Sequence, residues 1–201
     1  EEYMNQGKLL LGQEKYNEAI DSFKKAEKIN NLNIDLYVYK GICFANLDET
    51  DNAKNEFSKA LKINKAEGVV YFHLGNIEIL QGNKAKGIEY YNNAIASGFD
   101  DAQVYFSLGL MNEEEGNIDT ALRNYSKAII KDSNRPDIRI RKVRLLIVSK
   151  MFMEAVQCLD ELILSNPDVF EGYHLKNLVL IEMGKYQEAE TVLSNAICLF
   201  P

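Results

Sequence analysis

Residues 71–78 read YFHLGNIE, and residues 105–112 read YFSLGLMN, 34 positions later. The same pattern begins at residues 3, 37, 139 and 173, and a second pattern, NEAIDSFKKA at residues 17–26, returns at residues 51, 85, 119, 153 and 187. The interval is 34 residues every time, with no insertion. Six copies in register show that the chain is built from internal repeats, and this periodicity decides the fold before any single motif is considered.

Each copy predicts two helices packed against each other. In the first half, Tyr105 precedes Gly109 by about one helical turn, so that ring and glycine share a face. A glycine inside a helix costs about 1 kcal/mol relative to alanine, and its recurrence indicates that another helix approaches closely. In the second half, Ala121, Tyr125 and Ala128 form a stripe of small, large and small residues, which is typical of a helix packed on both sides.

The turns between these stretches divide the chain into equal parts. Alternation typical of strands is nearly absent, so we predict an all-α fold, an α-solenoid of six antiparallel helix pairs whose stacking buries the apolar faces. We expect one array over residues 1–201, with repeats at about 1–33, 34–67, 68–101, 102–135, 136–169 and 170–201.

The repeat resembles the tetratricopeptide repeat, a motif that carries an aromatic residue, Leu-Gly, a bulky residue, Ala, an aromatic residue, Ala and Pro in that order. YFHLGN, YFSLGL and MGKYQEAE (residues 183–190) carry the resemblance. It implies a right-handed superhelix that serves as a protein–protein interaction scaffold, with the first helices of the repeats lining a concave groove for a peptide or helix of a partner.

The fifth repeat departs from the family pattern. Arg139 stands where the other copies hold Tyr, and Val143 where most hold Gly. Lys142 stands in the leucine position, which also holds Gln6, Lys40 and Lys176 in other copies. We therefore expect looser or shifted packing in this repeat, with the stems of Arg139 and Lys142 packed and their charges in water.

Projection of the first helices gives the candidate groove residues. In its more specific form, the groove hypothesis is that Arg141 and Arg144 bind the acidic end of the ligand, and that Phe72 and Phe106 contact its apolar residues. Two alternatives stay open: the rings pack on flanking repeats, or Arg144 pairs with Glu113 or Glu114. The complete candidate set is Tyr39, Ile42, Phe72, His73, Asn76, Phe106, Leu110, Arg141, Arg144 and His174.

Composition and motifs exclude several functions. A net charge of −7 and a pI near 5.0 argue against nucleic acid as a partner, and apolar runs of at most about five residues argue against membrane insertion. His73 and His174 lie far apart, and no nucleophile or phosphate-binding motif is present, so we expect no enzyme activity, cofactor or metal. Cys43, Cys158 and Cys198 form no CxxC pair, which favours buried reduced thiols and a cytoplasmic location.

Two other classes of function stay open. The last helix keeps its apolar stripe without a polar cap, so the chain could self-associate as a homo-oligomer through its C-terminal end, or act as a spacer. The repeats could also recruit substrate for a catalytic domain outside this segment. In either case we expect the segment to be excised from a longer protein.

Overall fold

The computed structural model describes residues 1–200, and these residues form twelve α-helices. Each odd-numbered helix packs antiparallel to the helix that follows it, which confirms the predicted all-α fold of six helix pairs. In chain order the helices are α1 (Glu2–Gly12), α2 (Tyr16–Ile29), α3 (Ile34–Asn46), α4 (Thr50–Ile63), α5 (Gly68–Leu80), α6 (Lys84–Ala96), α7 (Ala102–Glu114), α8 (Ile118–Lys131), α9 (Pro136–Val148), α10 (Phe152–Ser165), α11 (Phe170–Glu182) and α12 (Tyr186–Leu199).

The helices divide between two compact units. The first unit spans Glu1–Asp100 and holds α1 to α6, and the second spans Asp101–Pro201 and holds α7 to α12. From the second pair onward, the first helix of each pair begins at residue 34, 68, 102, 136 or 170, where the sequence places the repeat starts. A single array over all six pairs stays a prediction.

An aromatic ring against a glycine fixes the distance within most pairs. A methyl group on Gly41 of α3 would lie 2.4 Å from Cε1 of Phe57 in α4, closer than real Cβ contacts. The predicted close approach is confirmed, and the group that approaches is the ring of the paired helix. The same 2.4 Å distance is found in two other pairs, Gly7 with Phe23 and Gly109 with Tyr125.

The fifth pair lacks this arrangement. Val143 of α9 stands in the glycine position and Leu159 of α10 in the ring position, and both are fully buried. Because the valine side chain occupies the space that a ring fills elsewhere, α9 and α10 pack less closely than the four preceding pairs. The looser packing predicted for the fifth repeat is confirmed.

Arg139 takes over the hydrogen bond of the tyrosine that it replaces. The hydroxyl groups of Tyr37 and Tyr71 each donate to the backbone carbonyl six residues earlier, at 2.8 Å. The Nη2 of Arg139 donates to the equivalent carbonyl, that of Ser133, at 3.5 Å, and Nη1 lies 3.6 Å from Glu161. Arg139 is buried, so the expectation that its charge reaches water is wrong. A carbonyl and a carboxylate lie beside Nη2 and Nη1 instead, and Nε is buried without a hydrogen-bond partner.

Each pair turns through one residue with a left-handed backbone. This position recurs every 34 residues, and a residue with a Cβ is strained there, whereas glycine is not. In the fifth pair Lys150 holds the position with φ of 58°. The complete set is Glu14, Asp48, Gly82, Gly116, Lys150 and Gly184.

The cysteines do not all lie in the core. Cys43 and Cys158 are buried as predicted, but Cys198 is exposed, so the prediction is wrong for this residue. It follows the buried Ala196 by two residues, about 200° around the helix, and therefore lies away from α11. The equivalent residues of the other repeats, including Lys62 and Leu164, are also exposed.

Candidate functional site

In the first unit, two candidate groove residues cover aromatic rings of the preceding pair. Tyr39 stacks on Phe23 with ring centroids 5.8 Å apart, and His73 stacks on Phe57 at 5.6 Å. Tyr39 and His73 occupy equivalent positions, and both are half-buried. Burial lowers the pKa of His73 to about 4, so the imidazole is neutral at physiological pH.

Phe72 is a core residue. Its side chain is only 8% exposed, and its ring centroid lies 5.9 Å from that of Tyr91 and 5.5 Å from that of Phe99. This corrects the expected exposure of Phe72, because Phe99, from the turn that follows α6, packs against it. The alternative in which the ring packs within the protein therefore holds for Phe72.

The other candidates of the first unit are half-buried. Asn76 accepts a hydrogen bond from the hydroxyl of Tyr91 at 2.7 Å, which ties its amide to the paired helix. Ile42 packs against the core of the same unit. These candidates stabilise the helix pairs and offer a ligand little free surface.

In the second unit, Arg141 belongs to a network that holds α7, α8 and α9 together. Its Nε and Nη2 donate to the two carboxylate oxygens of Glu113 at 3.0 and 2.9 Å. The hydroxyl of Tyr125 donates to the same carboxylate, and burial, followed by this hydrogen bond to Glu113, raises the pKa of Tyr125. A bidentate pair with a third donor fixes the guanidinium, so Arg141 is engaged within the protein.

Arg144 pairs with a different carboxylate from the one expected. Its Nη2 lies 2.6 Å from Oε1 of Glu171 in α11, and both side chains are more than a third exposed. The alternative in which Arg144 pairs with Glu113 is wrong because Arg141 holds that carboxylate, and its pairing with Glu114 stays a prediction. Arg144 thus bridges two first helices at the surface of the second unit.

Exposed apolar side chains lie on the two helices that this ion pair connects, α9 and α11. Val148 is 80% exposed, Leu178 45% and Ile181 43%. Arg144 and Val148 also line a small cavity of about 210 Å³ with Glu113, Arg141 and Leu145. We call Arg144, Val148, Leu178 and Ile181 the second-unit strip.

Three more residues flank the strip on the first helices. His174 is exposed and stacks on Phe170 with centroids 6.2 Å apart. Phe106 is half-buried, and its ring centroid lies 5.9 Å from that of Tyr125. Leu110, one helical turn after Phe106, is also half-buried. The structure thus brings Arg144 and His174 to the surface, and turns Phe106 partly into the core.

The candidate set did not include all of the exposed residues. Val148, Leu178 and Ile181 follow the helical spacing of the first helices and project onto the same face as the candidates, although the candidate set omits them. Phe170 lies at the first position of α11 and carried no periodic signal.

Residues 1–200 contain no cluster of three or more His, Cys, Asp or Glu side chains that could hold a metal ion. None of the helices in this part of the chain combines the length and the apolar character needed to cross a lipid bilayer.

Models of the tetratricopeptide repeat match most of the chain. One model matches residues 3–31 and 34–67, a second matches 72–136, and a third matches 113–178. No curated protein is similar enough to count as a match.

Solved structures of repeat proteins share the fold. Pseudomonas aeruginosa pilF superimposes with a TM-score of 0.78 at 18% identity, over 98% of this chain and 88% of that one. YrrB, described as a TPR protein with an unusual peptide-binding site, gives 0.68 at 18% identity, over 89% of this chain and 92% of that one. Cut9, in the APC/C hetero-tetramer Cut9-Hcn1, gives 0.69 at 18% identity, over 99% of this chain and 40% of that one. Together with the six helix pairs and the recurring ring and glycine, these matches show that the chain belongs to the tetratricopeptide repeat family.

Proposed function

We propose that the chain is a non-catalytic scaffold that binds an extended or helical segment of a partner protein on the second-unit strip. The observation that carries the proposal is the exposure of Val148, Leu178 and Ile181 on the two helices that the Arg144–Glu171 pair connects. Neighbouring apolar side chains that face water are typical of an interaction site. Proteins of this family are typically interaction scaffolds without catalytic activity.

Arg144 suits the role of a polar anchor better than Arg141 does. An exposed ion pair contributes at most about 1 kcal/mol, so a ligand carboxylate can replace Glu171 on Arg144 at small cost. Replacing Glu113 on Arg141 would break two hydrogen bonds and leave Tyr125 without its acceptor. The ligand is therefore a segment with apolar side chains and an acidic residue near one end.

Two of the similar proteins and the cysteines support this proposal. YrrB is described as having a peptide-binding site, and Cut9 forms a hetero-tetramer with Hcn1. Cys43, Cys158 and Cys198 are free thiols, which supports the further proposal of a reducing, cytoplasmic compartment.

Selection of peptides from a displayed random library tests the proposal. We expect one class of the selected peptides to bind Leu178→Asp more than tenfold more weakly, because the new charge would stand among apolar contacts. Leu164→Asp is the matched control, since Leu164 is 87% exposed but lies on the second helix of its pair. The absence of any peptide class that is weakened by Leu178→Asp, or equal losses in Leu178→Asp and Leu164→Asp, would contradict the proposal.

A further inference from the structure

A second cavity lies within the second unit, between α8, α9 and α10, with a volume of about 490 Å³. Its floor is apolar: Leu122 and Leu146 are buried, and Met151 is half-buried. It shares no lining residue with the second-unit strip, so the two sites are separate.

A lysine lines this cavity at a position where other repeats hold a buried or half-buried ion pair. Lys142 is equivalent to Lys40 in the second repeat and Lys176 in the sixth. The Nζ of Lys40 lies 2.7 Å from Glu27 and 3.0 Å from Glu56, and that of Lys176 lies 2.5 Å from Asp160. Each of these two lysines therefore has a carboxylate from a second helix.

Lys142 has lost these carboxylates. The residues equivalent to Glu27, Glu56 and Asp160 are Ile129, Cys158 and Ser126. None of these three is a carboxylate. Within residues 1–200 no carboxylate forms an ion pair with Lys142, and nearby Glu161 pairs with Arg139 instead. Ser126 and Cys158 line the cavity, so the cavity lies where the missing anions would stand.

We propose that this cavity binds a short segment of a partner protein in which an Asp or Glu stands beside an apolar side chain. The carboxylate of the segment pairs with Lys142, as Glu56 pairs with Lys40 in the second repeat. The apolar side chain lies on Leu122, Leu146 and Met151. Arg123 and Lys127 of α8 line the same cavity and add positive charge on the same wall.

The opposite wall favours a polypeptide over a simple aliphatic carboxylate. Glu154, Gln157 and Glu161 of α10 line it at intervals of three and four residues, and so share one helix face. These side chains offer acceptors that backbone N–H groups of a peptide can satisfy. A fatty acid has no donors and would place its chain against two carboxylates.

Peptide binding to matched variants tests the proposal. Dodecapeptides are selected from a displayed random library on the wild-type chain, and their affinities are measured by fluorescence anisotropy. We expect one class with Asp or Glu next to an apolar residue to bind Lys142→Met more than tenfold more weakly. Changing that acid to Asn or Gln should cause a similar loss in wild type and no further loss in Lys142→Met.

Position 126 provides the matched pair of variants. Ser126→Asp places a carboxylate where the sixth repeat has Asp160, so it should pair with Lys142 and weaken the same peptides more than tenfold. Ser126→Asn has the same shape without the charge and should bind like wild type. Leu178→Asp, in the second-unit strip, should also leave this class of peptides unaffected.

Other results would overturn the proposal. They are the absence of any selected peptide sensitive to Lys142→Met, equal effects of Ser126→Asp and Ser126→Asn, or binding of sodium decanoate that depends on Lys142 and displaces the peptides. The melting temperature of Lys142→Met should not fall below that of wild type, because methionine keeps an apolar stem and removes an unpaired ammonium group. If Lys142→Met unfolds, the comparison of Ser126→Asp with Ser126→Asn still tests the proposal.

Discussion

The second and fifth repeats hold lysine at the same position and use it differently. In the second repeat, Phe57 packs on Gly41, and Lys40 is buried between two carboxylates. In the fifth repeat, Val143 replaces the glycine and Leu159 replaces the ring, and Lys142 lines a cavity without an ion pair. One side chain is therefore part of the core or part of an open surface, depending on the neighbours that its own repeat supplies.

Replacing each lysine should give the largest difference in stability between the two repeats. Lys40→Met leaves the buried Glu56 without one of its two cations, so we expect a loss of about 3 kcal/mol in the free energy of unfolding. Lys142→Met breaks no ion pair and should change stability by less than about 0.5 kcal/mol, or increase it. Urea unfolding of both variants measures the difference, and equal losses would contradict the comparison.

Exchanging the ring and glycine should show that they act as a unit. Gly41→Val places a side chain within 2.4 Å of Phe57, and we expect a cost of about 2 to 3 kcal/mol. Adding Phe57→Leu reproduces the pair found in the fifth repeat and should recover about 1 kcal/mol relative to the sum of the single changes. Strict additivity in urea unfolding would show that the two positions are independent.

Repeat three supplies a buried carboxylate whose cations are present. Glu78 lies 2.7 Å from Lys54 and 3.1 Å from Lys86, and its hydrogen bond from Lys54 does most to lower its pKa, to about 2 from an ordinary 4.5. Since the folded pKa lies below the unfolded value, the stabilisation is complete above pH 4.5 and is lost as the pH falls toward 2.

Glu78→Gln should therefore cost about 2 kcal/mol at pH 7 and much less near pH 2.5. Urea unfolding at both pH values measures the change. Glu190→Gln, which removes a carboxylate at an exposed position, is the control. A cost for Glu78→Gln that does not vary with pH would mean that the ion pairs do not stabilise the fold.

The turns should give the smallest effect. Lys150 in the fifth repeat and Asp48 in the second have φ of 58° and 60°, and Asp tolerates this backbone better than Lys. We expect Lys150→Gly to raise the free energy of unfolding by about 0.5 to 1 kcal/mol, and Asp48→Gly by less. Thermal unfolding checks the order, and a lower melting temperature for Lys150→Gly would refute it.

The interval of 34 residues was enough to predict the helix pairs and the close approach of a helix to the recurring glycine, because equivalent positions meet equivalent neighbours. The same comparison could have predicted that Cys198 is exposed, since Lys28 and Lys62 occupy its position. It could not predict the burial of Phe72, which depends on Phe99 in a turn outside the helical pattern.

Ion pairs were the least predictable part of the candidate site. Long side chains on neighbouring helices can reach several carboxylates, and the choice of Glu171 for Arg144 follows from the prior bond between Arg141 and Glu113. Such choices depend on several side chains at once, and spacing in the sequence does not contain them.

A double-mutant cycle between positions 126 and 142 tests most directly whether the fifth repeat lacks only a carboxylate. With Lys142 present, Ser126→Asp should be more stable than Ser126→Asn by about 1 kcal/mol, because the new carboxylate pairs with a half-buried cation. In the Lys142→Met background this advantage should disappear. An equal difference in stability between Ser126→Asp and Ser126→Asn in both backgrounds would contradict the central claim that Lys142 lacks a carboxylate partner within the fifth repeat.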